Sequence, residues 1–331
     1  MSHQDHNAHL ESTWRLIADA LGPVAALLED PRCNEVMANA DGSVWVEMHG
    51  EDPRRTEFVL DARTREDVIG FVASAYGKSV HAGNPSLAEV LPVVGARFQG
   101  NVPPSVSSSV FTIRLPSVRR IMLEEYVSSG VLDHAQALLI MDAVRKRQNI
   151  LVVGSTGSGK TTLTNAVLEK IGQTGHRVLT IEDTKELREP SPNCLQLYVN
   201  PRFDYGFGHA LMDALRHRPD RIVVGELRDG HAALGLLKAW NTGHSGGLAT
   251  LHADSAAGAL PRLELLLTEV VKSMPRELVA QAIDQIVFIE RYSAVGGFNA
   301  RRVRNVACLS SELSGEGDYG LTHLFHSSMG G

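Results

Sequence analysis

Apolar residues recur at helical spacing from residue 12 to residue 28, behind Ser12 and Thr13, whose hydroxyls can cap the start of a helix. The stretches "EVMANA", "SVWVEMH" and "TEFVL" then shift to the period of a strand: Val44, Val46 and Met48 alternate with polar neighbours. A second helix is predicted over Arg63 to Tyr76, and strand-like pieces follow at "LAEVLPVV", "GARFQG" and "VFTIRL". These elements make an α+β module. The next segment, "RLPSVRR", reads as a hinge over Leu115 to Arg120, because Pro116 steers the residue before it away from helical backbone.

Beyond the hinge, "LDHAQALLIMDAVRKRQ" is helical by period, and from Asn149 strands and helices alternate. The strands are "NILVVG", "RVLTIED", "RIVVGE" and "GGLATLHA"; the helices follow Lys160, lie near His209 to Leu215, and lie near Ala232 to Trp240. Such alternation builds a parallel sheet covered on both faces. The expected organisation is an N-terminal α+β domain over 1–115, a linker over 116–125 and an α/β domain over 126–331.

Composition narrows the class. The 331 residues can bury two modest cores, and 43% apolar with 21% charged residues is ordinary for a globular protein. A formal net charge of -6 argues against a protein that coats nucleic acid by electrostatics, so no sequence-specific nucleic-acid binding is expected. The longest apolar runs fall short of a membrane span, and the polar start "MSHQDHNAHLEST" is unlike a signal sequence. The expectation is a cytoplasmic protein whose membrane contact, if any, is peripheral. Cys33, Cys194 and Cys308 are scattered, so neither a disulfide framework nor a cysteine zinc site is supported. His3, His6 and His9 read as part of a mobile polar terminus.

The chemistry begins at "GSTGSGKTT". It fits G-x-x-x-x-G-K-[ST] between a strand and a helix, the context in which this pattern cradles phosphate. Gly154, Gly157 and Gly159 let the chain turn tightly, and Ser155, Thr156 and Ser158 present backbone N–H groups with them toward the phosphates. Lys160 supplies a point charge for the β- and γ-phosphates, Thr161 a hydroxyl for Mg²⁺, and Thr162 continues the first helical turn. The implied ligands are ATP and Mg²⁺.

Acidic residues stand at the ends of two further strands, where ligands meet a parallel sheet. "LTIEDTKEL" ends on Glu182 and Asp183, candidates to position water or Mg²⁺. "RIVVGELRD" has Gly225 where such strands most often carry an aspartate, with Glu226 and Arg228 just beyond. In "GHSGGLATLHA", His244 precedes an apolar run and His252 follows it. If that run is a strand the two histidines stand roughly 25 Å apart and cannot share a metal, though either can sense the γ-phosphate or relay closure.

In this order, "GSTGSGKTT", "TIEDTKEL", "RHRPDRIVVGELRD" and "GHSGGLATLHA" resemble the phosphate loop, Asp box, atypical second nucleotide-binding strand and His box of the type II/type IV secretion traffic ATPases. Within them the chain looks most like the TrbB conjugal-transfer ATPases. The resemblance implies a RecA-like P-loop domain behind a smaller N-terminal α+β domain that closes over nucleotide. It implies Glu226 as the catalytic carboxylate, reaching Mg²⁺ directly or through water, and Glu182 with Asp183 as the second acidic cluster. Arginines at Arg97, Arg114, Arg216 and Arg228 match phosphate-contacting positions.

The resemblance further implies a homohexamer acting with inner-membrane secretion-system subunits. The absence of a tetracysteine subdomain disfavours the type II branch, and no A-I-R-N-L-I-R-like run follows Ala280 as in retraction motors. The expected function is an Mg-dependent ATPase powering conjugal transfer. A pilus assembly or retraction motor, a RecA-like nucleic-acid motor and a non-catalytic nucleotide-gated scaffold are the alternatives; 5% aromatics lend the nucleic-acid motor no support.

Overall fold

A computed structural model describes residues 3–49, 51–116, 120–199, 205–293 and 299–326. The chain divides into two compact units, Met1–Arg119 with Val295–Asn299, and Arg120–Ala294 with Ala300–Gly331. Part of the hinge expected over Leu115 to Arg120 lies outside the described residues, as do the side chains of His3 and His6.

In the first unit, helices α1 (His3–Leu21) and α2 (Ala25–Glu29) flank a 3-10 turn at Gly22–Val24. The predicted start at Ser12 is wrong: the helix begins at His3, and the Ser12 and Thr13 hydroxyls donate to the His9 carbonyl from within it. The predicted single run to residue 28 also breaks, because Gly22 adopts φ +53° and Pro23 follows it. Strands β1 (Cys33–Ala38), β2 (Ser43–Met48) and β3 (Arg54–Val59), helix α3 (Ala62–Ala75), and strands β4 (Ser86–Val90), β5 (Arg97–Asn101) and β6 (Val110–Arg114) complete the unit. The sheet runs β3-β2-β1-β6-β5-β4, antiparallel throughout, and one face packs Val36, Val44, Val46, Phe98 and Ile113 against α1 and α3.

The second unit opens with α4 (Leu123–Ser128) and α5 (His134–Arg145), then β7 (Ile150–Gly154), α6 (Lys160–Gly172), β8 (Val178–Glu182) and β9 (Cys194–Tyr198). It continues through α7 (Phe207–Arg216), β10 (Arg221–Val224), α8 (Gly230–Asn241), β11 (Leu248–His252), α9 (Ala256–Leu267) and α10 (Arg276–Ala282). Strands β12 (Gln285–Ser293), β13 (Asn299–Leu313) and β14 (Tyr319–His326) end it. The order β14-β13-β12-β7-β11-β10-β8-β9 is parallel from β12 to β9, with β13 and β14 antiparallel.

The central strands are buried on both faces, as their unbroken apolar sequence requires. Leu151, Val153, Ile181, Val224 and Leu251 face one core with α7, α8 and α9; Ile150, Val152, Val178, Val223 and Leu248 face the other with α5 and α6. All the parallel strands end at one edge of the sheet, and the register sets His252 beside Gly154 and Val224 beside Ile181 there. That edge carries the motifs. Among the described residues no helix is long and apolar enough to cross a membrane.

Candidate functional site

β7 gives way to a loop at Gly154, and α6 starts at Lys160 behind Gly159, whose φ of +96° turns the chain into the helix. Gly157 is left-handed as well, at φ +73°. Gly154 is required for a different reason: a Cβ there would lie 2.2 Å from the Ile289 carbonyl oxygen. The loop thus winds around the N-terminal end of α6, where free N–H groups and the helix dipole favour an anion. Ser155 and Thr156 are exposed, Ser158 is buried, and Thr161 and Thr162 sit half-buried in the first helical turn. Lys160, only 7% exposed, folds its ammonium back under the loop and donates to the carbonyls of Gly154 and Ser155, each at 3.0 Å.

A third partner joins Lys160 to the rest of the site. Its Nζ lies 3.2 Å from His252 Nδ1, and His252 Nε2 lies 2.8 Å from Glu226 Oε1. An ammonium can only donate, so Nδ1 accepts and Nε2 carries the proton that goes to the carboxylate. Burial and the Lys160 charge both lower the His252 pKa, keeping the ring neutral. Glu226 Oε2 accepts from Arg228 Nη2 at 2.7 Å, and Arg228 Nη1 reaches Asp183 Oδ2. Burial acts to raise the Glu226 pKa, but Arg228, His252 and Lys160 outweigh it and the pKa falls. Glu226 is an anion held at both oxygens.

Glu182 is the opposite case. It is 3% exposed, and burial pushes its pKa up to about 7 although Oε2 accepts the N–H groups of Glu186 and Leu187. Its Oε1 is buried and accepts no hydrogen bond from the described residues. Gly225, the residue standing where an aspartate is commonest, lies against it: a Cβ on Gly225 would come within 3.1 Å of the Glu182 Cβ. Thr250 Oγ1 donates to the Gly225 carbonyl at 2.6 Å and fixes this end of β10. The hydroxyl of Thr161 and the carboxylates of Glu182, Asp183 and Glu226 are hard oxygen donors of the kind Mg²⁺ takes, and the glycine cradle with its buried cation suits a polyphosphate.

Other sequence candidates lie elsewhere. His244 precedes β11 at the opposite edge of the sheet, beside Gly246 and Gly247, whose N–H groups donate to Asn149 ahead of β7. Arg216 ends α7 at that same edge: it is exposed, within 3.8 Å of Asp213, and the next residue, His217, accepts from Arg177 ahead of β8. Within this unit neither approaches the phosphate loop. Arg97 and Arg114 belong to the first unit, where they stand opposite one another across β5 and β6.

Two residues at the loop escape motif reading. Arg301, on β13, donates from Nη2 to the Gly157 carbonyl at 3.4 Å, and Arg291, on β12, places Nη1 3.5 Å from where a Gly157 Cβ would be. Neither stands in a motif: Arg291 lies near the end of β12 and Arg301 near the start of β13.

A family model described as type II/IV secretion system protein matches residues 18–292. A probable conjugal transfer protein TrbB of Sinorhizobium fredii is 41% identical over 297 residues, 88% of either chain. The type IV secretion system protein VirB11 of Bartonella quintana is 31% identical over 327 residues, 84% of this chain and 90% of that one. The X-ray structure of the Legionella pneumophila ATPase DotB superposes with a TM-score of 0.60 at 20% identity, covering 86% of this chain and 78% of the other, a likeness of fold.

Proposed function

The chain belongs to the type II/IV secretion system protein family, and on that premise we propose that it is an Mg²⁺-dependent ATPase, converting ATP to ADP and phosphate to power a conjugal-transfer type IV secretion machine. The observation that carries the reading is the continuous chain Lys160–His252–Glu226–Arg228–Asp183, which joins all four sequence motifs at the ends of adjacent parallel strands. Phosphoryl transfer asks a protein for positioning and charge more than for covalent chemistry, and this chain is built of those elements.

Each residue has a role in that reaction. Lys160 exchanges its loop carbonyls and His252 for oxygens of the β- and γ-phosphates. Glu226, ionised at neutral pH, orients the attacking water. Glu182, buried at the end of β8 with Oε2 on the N–H groups of Glu186 and Leu187, is the second acidic group and positions water or Mg²⁺. Thr161, with Glu226 directly or through water, would hold Mg²⁺, which would supply charge neutralisation at the transferring phosphate. Arg97, Arg114, Arg216 and Arg228 remain phosphate contacts by motif position. A homohexamer in which arginines of one protomer complete the site of another gives Arg216 a use that its own loop does not. The place of action is the cytoplasmic face of the inner membrane, against membrane-embedded secretion subunits.

Phosphate release from purified protein tests the reading. Turnover that needs Mg²⁺, disappears in Lys160→Ala and ignores single-stranded DNA supports it. No release at any protein concentration leaves a nucleotide-gated scaffold, and strong stimulation by single-stranded DNA favours a nucleic-acid motor. Light scattering showing only monomer, with undiminished specific activity, overturns the hexamer.

A further inference from the structure

The end of β12 and the start of β13 lie on the phosphate loop at three places. The Ile289 carbonyl oxygen fills the space beside Gly154, so the loop leaves β7 along the backbone of β12. Arg301 packs its stem on Gly159, with Cδ 3.2 Å from where a Cβ would be, and sends Nη2 to the Gly157 carbonyl. Arg291 sets Nη1 beside the Gly157 backbone. The two glycines so covered are the left-handed ones of the loop. Their conformation turns N–H groups toward an anion, and it is the part of the loop with most freedom to relax.

We propose that Arg301 and Arg291 form a guanidinium clamp for the diphosphate common to ATP and ADP, resting on the nucleotide-site reading above. Arg301 is a positioning residue. By donating to the Gly157 carbonyl it fixes the orientation of the Gly157–Ser158 peptide plane, and a Cβ on either glycine would meet a guanidine group or its stem. Both guanidinium charges lie against the loop backbone and add to that of Lys160 where the β-phosphate binds. Arg301 bonds the Gly157 carbonyl and Arg291 lies beside the same glycine, whereas Glu226 is held by His252 and Arg228, so the clamp acts on affinity and leaves the hydrolytic step alone. Its effect is equal on ADP and ATP, since it reads nothing of the γ-phosphate. That separates it from Glu226, whose loss affects turnover.

The experiment is titration of the full-length protein with ADP, and with ATP in the presence of EDTA, by calorimetry. It uses wild type, Arg301→Ala, Arg291→Ala, Arg301→Lys and Arg304→Ala. Arg304 pairs with Glu290 at 2.9 Å and controls for loosening of the same strands. Arg301→Ala is expected to weaken ADP and ATP alike by about tenfold or more, the scale of one charged hydrogen bond. Its kcat at saturating ATP should stay within about twofold of wild type. Arg301→Lys, which keeps the charge without the fork, should recover part of the affinity, and Arg304→Ala should bind normally. Unchanged ADP affinity in both Arg301→Ala and Arg291→Ala overturns the clamp, as does an equal loss in Arg304→Ala. A wild-type protein that binds neither nucleotide overturns the nucleotide-site reading itself.

Discussion

His252 Nε2 stands 2.8 Å from Glu226 Oε1, and the ring's other nitrogen holds the ammonium of Lys160. One neutral imidazole therefore links the ammonium at the start of α6 to the carboxylate just beyond β10. Its removal should act unequally on the two. Lys160 keeps two carbonyl acceptors and loses a competitor for phosphate, whereas Glu226 loses one of its two side-chain donors. His252→Ala is expected to hold ATP affinity within about threefold while kcat falls about tenfold, in line with loss of one hydrogen bond to a charged group. His252→Gln, which keeps an amide donor, should recover part of the rate. Steady-state kinetics beside direct binding checks this; a loss confined to affinity contradicts it.

Glu226→Gln probes the carboxylate itself. The amide preserves shape and most hydrogen bonds but removes the charge that Arg228, His252 and Lys160 stabilise. ATP should still bind, and turnover should fall by roughly a hundredfold or more, the scale of lost general-base function. If Glu226 only paired with Arg228 at the surface, the change would stay below about 1 kcal/mol with near-normal rates. Single-turnover hydrolysis separates the cases, and a normal rate moves the role to Glu182 or Asp183.

Glu182 should leave its mark on stability, without any nucleotide. Its pKa is raised from an ordinary 4.5 to about 7, so the native state keeps a proton that the unfolded chain releases over that interval. Stability contributed by this group therefore falls as pH rises from 4.5 to about 7 and levels off above, by on the order of 3 kcal/mol. Glu182→Gln cannot ionise and should remove this slope, making the variant the more stable protein at pH 8. Urea unfolding of both proteins between pH 5 and pH 8 measures the difference. Parallel curves would mean that Glu182 is ionised throughout.

Much of the second unit was legible because its strands are buried on both faces and its motifs are local. The run "NILVVG" has to be a central strand, and the loop behind it carries its own geometry in its glycines. The first helix was misread since Ser12 and Thr13 satisfy their hydroxyls inside a helix as readily as at its start. Strands β12 to β14 carry no motif, and their charged residues, Glu290, Arg291, Arg301 and Arg304 among them, mask the strand period. With those strands went Arg291 and Arg301, which reach the loop only through tertiary folding. Histidine spacing correctly kept His244 and His252 apart, but the register that brings His252 beside Gly154 belongs to the parallel pairing of β11 with β7.

Gly225 invites the reverse experiment, restoring the aspartate that most such strands carry. The structure predicts harm. A Cβ at this position lies 3.1 Å from the Glu182 Cβ, so even alanine forces Glu182 to shift by a few tenths of an ångström within a buried site. Aspartate adds a third carboxylate beside Glu182 and Glu226. Burial already raises the Glu182 pKa, with Glu186 and Asp183 adding to it, so another like charge raises it further. The carbonyl of residue 225 also accepts the Thr250 hydroxyl, and a displaced β10 end would lengthen that bond. Gly225→Ala is expected to slow turnover a few-fold, and Gly225→Asp by at least about tenfold with about 1–3 kcal/mol of lost stability from overpacking. Turnover and urea unfolding of the two variants check both effects. A Gly225→Asp protein as active and as stable as wild type would show that Glu182 does not need the space this glycine leaves, and that the missing aspartate is an incidental substitution and no part of the site's design.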